Sequence, residues 1–118
     1  MYHVKRIFQS KPGNTLKVAT LAYKASEIYQ KEGQRGEFSV YFNASTTPGE
    51  KGRVVLQWTE DALESPFRGS NKLPSEAVKI YLEILKLTED TWVEFDELLT
   101  EDKTVSYTHL TLPTIYSV

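Results

Sequence analysis

His3 and Lys5 near the start of the chain, and Glu94 and Asp96 towards its end, are the residues best suited to moving a proton. Each pair is spaced by two, so in an extended segment both members share one face. Should the two segments lie side by side, a cation opposes a carboxylate. Partly buried, such a pair can work as a general acid and base; it can equally be a cross-strand ion pair that balances charge under a covered surface. A second set comprises Tyr41, Asn43, Gln57 and Trp92. Flat rings beside amides and a hydroxyl could hold and orient a planar aromatic molecule, or could pack at an interface with their polar ends satisfied. Arg6 and Arg68 could each anchor an anion. Arg6 falls in an otherwise apolar set, where it could also snorkel or pair with Glu97. Arg68, in SPFRGSN, could also be a solvated loop cation. No metal site is expected: His3 and scattered carboxylates lack ligand spacing. The chain has no cysteine, which excludes thiolate sites and disulfides. Pro12-Gly13 and Pro48-Gly49 are turns rather than phosphate loops, and no serine sits in a nucleophile elbow.

The elements that would position these groups follow from periodicity. Tyr2 to Gln9 alternates as a strand, with Tyr2, Val4, Arg6 and Phe8 on one face. After the turn at residues 11–14, where Asn14 or Thr15 can cap, Leu16 to Glu32 reads as a helix. Its apolar stripe is Val18, Leu21, Ala22, Ala25, Ile28 and Tyr29, and Gly33 stops it. The run EFSVYFNASTTPGEKGRVVLQWTED is strand, loop, strand. Phe38, Val40 and Phe42 share one face of the first strand, and Val54, Leu56 and Trp58 one face of the second. The loop from Ala44 to Gly52 is expected to be exposed and mobile. Asp61 to Leu73 is irregular. Pro74 or Ser75 opens a second helix, with Ala77, Val78, Tyr81, Ile84 and Leu85 inward. Thr91 to Leu99 (TWVEFDELL) is the fourth strand.

The order β-α-β-β-α-β is the ferredoxin-like arrangement: an α+β domain with a four-stranded antiparallel sheet and both helices on one face. The other face then carries His3, Lys5, Ile7, Ser39, Tyr41, Asn43, Val55, Gln57, Thr59, Trp92, Glu94 and Asp96. A patch of this size that mixes Trp, Tyr, Ile and Val with polar groups marks an interface, and a homodimer through this open face is expected. The formal net charge of −2 argues against nucleic acid as a partner. No secretion signal or membrane-spanning run is visible, so a cytoplasmic protein with no membrane partner is expected.

With this element order, the helix-facing apolar set and the last strand WVEFDELL, residues 2–103 resemble the dimeric α+β barrel superfamily. The nearest types are the antibiotic-biosynthesis-monooxygenase-like and NIPSNAP-like proteins. The resemblance implies a homodimer with sheets face to face and a small pocket beside each sheet. Members include cofactor-independent oxygenases, haem-degrading enzymes, isomerases and decarboxylases, so fold alone carries little functional weight. The oxygenases use an Asn, a Trp and sometimes a Tyr, which makes Asn43, Trp92 and Tyr41 the matching types here. The haem-degrading members add a helix-borne His, which the second helix lacks, and the first strand has no Asn. No cofactor is expected. Two functions stand: a small protein that binds or acts on an apolar or aromatic metabolite, in the manner of a cofactor-independent monooxygenase, and a non-catalytic dimerisation or ligand-sensing module.

The native domain is expected to cover residues 1–104. Residues 105–118 (VSYTHLTLPTIYSV) contain no Lys, Arg, Asp or Glu. Val105 to Thr114 resemble the translation of a transposase-type sequencing adapter, followed by a short index at Ile115-Tyr116-Ser117. This tail, with His109, is expected to be non-native.

Overall fold

A computed structural model describes residues 1–62 and 74–106. The elements run β1 (Tyr2–Ser10), α1 (Thr15–Lys31), β2 (Phe38–Phe42), β3 (Arg53–Glu60), α2 (Ser75–Lys86), β4 (Thr88–Glu97) and a 3₁₀ turn, η1 (Glu101–Lys103). The four strands form one antiparallel sheet in the order β2-β3-β1-β4. It is an α+β fold of the ferredoxin-like kind, as the element order predicts.

Strand alternation decides which side chains meet the helices. Val4, Phe8, Val54 and Leu56 are buried, and Phe8, Val54 and Leu56 join Val18, Ala19, Ala22 and Ile84 in one core cluster. Phe38, Val40, Trp58, Ile80 and Tyr81 pack around its edge. Each large apolar side chain fully removed from water here contributes about 1.5–3 kcal/mol. Tyr81 meets Phe8 edge-on, with ring centroids 6.5 Å apart.

Helix α1 ends as Gly33 leads one to expect. Gly33 takes φ +72°; its N–H donates to the Gln30 carbonyl, and the Gln34 N–H reaches back to Tyr29. That pair of bonds satisfies carbonyls which the end of a helix leaves open, and a glycine adopts the required left-handed backbone without strain.

Several expectations are corrected. Asn14 occupies the N-cap position but makes no side-chain capping bond; its amide turns back to the Pro12 carbonyl at 3.4 Å. Thr15 is not a cap either, since its hydroxyl is bonded to Ser10 at 2.8 Å. The buried stripe of α1 is rotated towards small residues, with Ala19 and Ser26 buried beside Val18, Ala22 and Ala25, while Leu21, Ile28 and Tyr29 are half-buried. Close approach of α2 favours the smaller side chains there. Strand β4 begins at Thr88, three residues before the expected start. The polar run Thr88-Glu89-Asp90 stays paired with β1 through a register shift at Gln9/Ser10. Arg6 does not reach Glu97, because Arg6 stands opposite Val93 and Tyr2 stands opposite Glu97. Glu97 instead pairs with Lys103 at 3.1 Å. Arg68, most of the irregular segment before α2, and residues 107–118 lie outside the described residues.

Candidate functional site

The register sorts the open sheet face into rows that cross the strands. Thr59, His3 and Asp96 form one row, and Ser39, Gln57, Lys5 and Glu94 the next. Then come Tyr41, Val55, Ile7 and Trp92, and finally Arg53, Gln9 and Asp90, with Asn43 closing the hairpin by donating its N–H to the Arg53 carbonyl at 2.9 Å. The expected opposition of β1 cations to β4 carboxylates is therefore present. Lys5 Nζ lies 3.5 Å from Glu94 Oε1 and 3.5 Å from Asp96 Oδ2. Trp92 Nε1 donates to the other Glu94 oxygen at 2.9 Å, so Trp92, Glu94, Lys5 and Asp96 form one connected polar chain. Its carboxylates are exposed, and such ion pairs are worth about 1 kcal/mol or less while water can reach them.

The candidates do not all converge. Neighbouring rows lie about 6.7 Å apart along the strands. Asn43 and His3, three rows apart, are therefore separated by roughly 20 Å and cannot touch the same small molecule. Tyr41 and Trp92 share a row but sit three strand spacings apart, about 14 Å, with Val55 and Ile7 as an apolar floor between them. Ile7 is only 4% exposed, although among the described residues no helix covers this face.

A depression of about 320 Å³ opens at the β2–β3 end, lined by Tyr41, Phe42, Asn43, Thr47, Pro48, Gly49, Glu50, Arg53 and Val55. Asn43 contributes its position more than its amide. Its Nδ2 donates to the carbonyls of Thr47 (3.1 Å) and Pro48 (3.2 Å), and its Oδ1 accepts from the Ser45 N–H at 3.0 Å. These bonds clamp the exposed 44–52 loop, in which Ser45 takes φ +71°. Gln57 stands between Ser39 and Lys5 on the face, away from this depression.

Two arginines escaped the sequence reading. Arg53, the first residue of β3, extends its guanidinium across β1 to lie 5.2 Å from the centre of the Trp92 ring. Its Nε is buried without a hydrogen-bond partner among the described residues. Period-two alternation with Val55 and Gln57 was the available signal, but a cation directly after a loop reads as a solvated loop end. On the helix side, Arg35 lies over Trp58 at 3.9 Å and over Tyr29 at 4.5 Å, while Trp58 Nε1 donates to Glu60 at 2.9 Å. Burial pushes the Arg35 pKa down from its ordinary value, and Tyr29 and Glu60 oppose that shift. Arg6 is bonded to Tyr81 and, at 3.0 Å, to Thr91, and it faces the Tyr81 ring at 5.3 Å, so its charge is spent on tying β1 and β4 to α2. Among the described residues no group of three His, Asp or Glu side chains has metal-binding geometry, and no helix is long and apolar enough to cross a membrane.

No protein-family model and no curated protein matches the sequence. Solved structures do match in shape. One is an antibiotic biosynthesis monooxygenase with TM-score 0.60 and 15% identity, over 85% of this chain and 100% of that one. Another, a NIPSNAP family protein from Agrobacterium tumefaciens, gives TM-score 0.62 and 17% identity over 87% and 95% of the two chains. The chain shares their fold. A third match is described as a dimeric protein of unknown function and ferredoxin-like fold, from Bacteroides fragilis, with TM-score 0.58 and 19% identity over 82% of this chain and 95% of that one. Identities this low speak for the ferredoxin-like fold alone and leave the chemistry to the residues on the sheet.

Proposed function

We propose that this chain forms a homodimer through its open sheet face and that the paired subunits bind an aromatic or apolar metabolite against that face. The observation that carries the reading is the row Tyr41–Val55–Ile7–Trp92, an apolar band across a sheet face that no helix among the described residues covers, ending in the depression under the β2–β3 loop. An apolar band flanked by charged rows has the anatomy of a site that needs a cover, and a second sheet would close the depression into a pocket. The likeness to a monooxygenase structure and to a protein described as dimeric supports it. In the rows beside that band, Lys5 with Glu94 and Asp96 is the group able to relay a proton, with His3 next to it. Trp92 bonds to Glu94 and so joins the aromatic band to the charged chain.

A second reading is favoured by Asn43, whose amide is consumed by its own loop. With the Asn43 amide not free to orient an oxygenase substrate, the chain would be a ligand-sensing or dimerisation module. Sedimentation at micromolar concentration, followed by melting scans against an aromatic metabolite panel, tests the proposal. A dimer whose melting temperature rises with saturating ligand is expected. A stable monomer that no compound shifts would overturn it. A dimer that binds ligand without turning it over would select the module.

A further inference from the structure

We propose that Arg53 is the anchor for an anionic group, so that the site takes an aryl carboxylate in preference to a neutral aromatic. This rests on the reading of the open face as an aromatic-ligand site and names the class of ligand. Arg53 has three properties that together mark an unfilled anion contact. Its guanidinium is held over Trp92, 5.2 Å from the ring centre; stacking fixes the guanidinium and leaves its edge N–H groups able to grip a carboxylate with two parallel bonds. Its Nε is buried and has no hydrogen-bond partner among the described residues, so a ligand carboxylate is left to the terminal N–H groups of the guanidinium. It also lines the depression that Tyr41, Pro48 and Val55 make apolar, so a ring seated there would place its carboxylate within reach.

Among the described residues no carboxylate forms an ion pair with Arg53. Glu94 and Asp96 are engaged by Lys5, and Asp90 Oδ1 accepts from the Thr91 N–H at 2.8 Å. Glu50 lines the same depression without forming an ion pair with Arg53. By contrast Arg6 already has Tyr81 and Thr91 as polar partners. Covering the face with a second sheet would strip water from a cation that has no ion pair among the described residues, and that is unfavourable. An incoming anion removes the conflict.

The test compares naphthoate with its neutral isostere naphthamide by titration calorimetry on the intact protein, alongside Arg53→Gln and Arg53→Lys. Naphthoate should bind wild type roughly tenfold or more tighter than naphthamide, as a charge-assisted bidentate contact implies. Arg53→Gln should abolish the difference between naphthoate and naphthamide affinities, whatever it does to both, and Arg53→Lys should keep part of the preference. Wild type supplies an independent readout that needs no variant: added salt should weaken naphthoate binding and leave naphthamide binding unaltered. Equal, salt-insensitive affinities for the two compounds would overturn the anion anchor and leave the aromatic-ligand reading standing. Binding of neither compound by the folded dimer would overturn both.

Discussion

At the residue scale the arginines show how little a charge reveals before its neighbours are known. Arg6, Arg35 and Arg53 each lie against an aromatic ring, yet one ties strands to a helix, one lies over Trp58 and Tyr29 on the helix side and one faces the open side. Arg35 allows a sharp stability prediction. Its guanidinium rests 3.9 Å from the Trp58 ring centre, and a partly desolvated contact of this kind is worth about 1–2 kcal/mol. Arg35→Ala should therefore lower the urea unfolding free energy by about 1–2 kcal/mol and alter Trp58 fluorescence. The sign of its pH dependence follows from the lowered pKa. A base whose pKa falls on folding costs stability wherever both states are protonated, and that cost is relieved only as pH rises through the folded value. For a guanidinium that window lies far into the alkaline range. The difference between wild type and Arg35→Ala should stay constant across neutral pH; a slope there would point to another group.

At the element scale the strands were legible and the joins were not. Alternation of two placed Val4, Phe8, Val54 and Leu56 inward and Lys5, Gln57, Glu94 and Asp96 outward, because one covered face forces one register. The true start of β4 was hidden, since Thr88-Glu89-Asp90 looks like a turn until β1 is known to extend beside it. The stripe of α1 was misplaced by its small residues, since Ser26, fully buried, is polar by type. The β2–β3 loop carries the prediction proper to this scale. Asn43 holds it through an amide that donates to two carbonyls, which only the amide form of the side chain can do. Asn43→Asp should place a carboxylate against those carbonyls, cost about 0.5–1.5 kcal/mol, and speed amide exchange across residues 44–51 while the β1–β4 amides keep their protection. Unchanged exchange in the loop would mean that the backbone turns, not Asn43, set its shape.

At the scale of the whole molecule, element order was enough to reach the fold. Two βαβ halves with right-handed crossovers leave one side of the sheet without helices. What could not be read in advance was how that side treats its own residues: Ile7 is 4% exposed within a single chain, held between Val55 and Trp92 in its row. Ile7 is thus a poor probe of association, because replacing it would damage the subunit itself. Val55 is better. It is half-buried, central in the apolar row, and flanked by Tyr41 and Ile7. A lysine there can lay its stem on the sheet and keep its ammonium in water so long as nothing covers it. In the proposed dimer each such ammonium group would be trapped beneath the partner's sheet, at a cost of several kcal/mol, which is a large part of the free energy of a micromolar complex at about 8 kcal/mol. Val55→Lys should therefore sediment as a folded monomer at concentrations where wild type is a dimer, with its helix and strand circular dichroism retained. If Val55→Lys remained a dimer of unchanged affinity, the subunits would have to meet through some other surface, and the depression beside Arg53 would stay open to water.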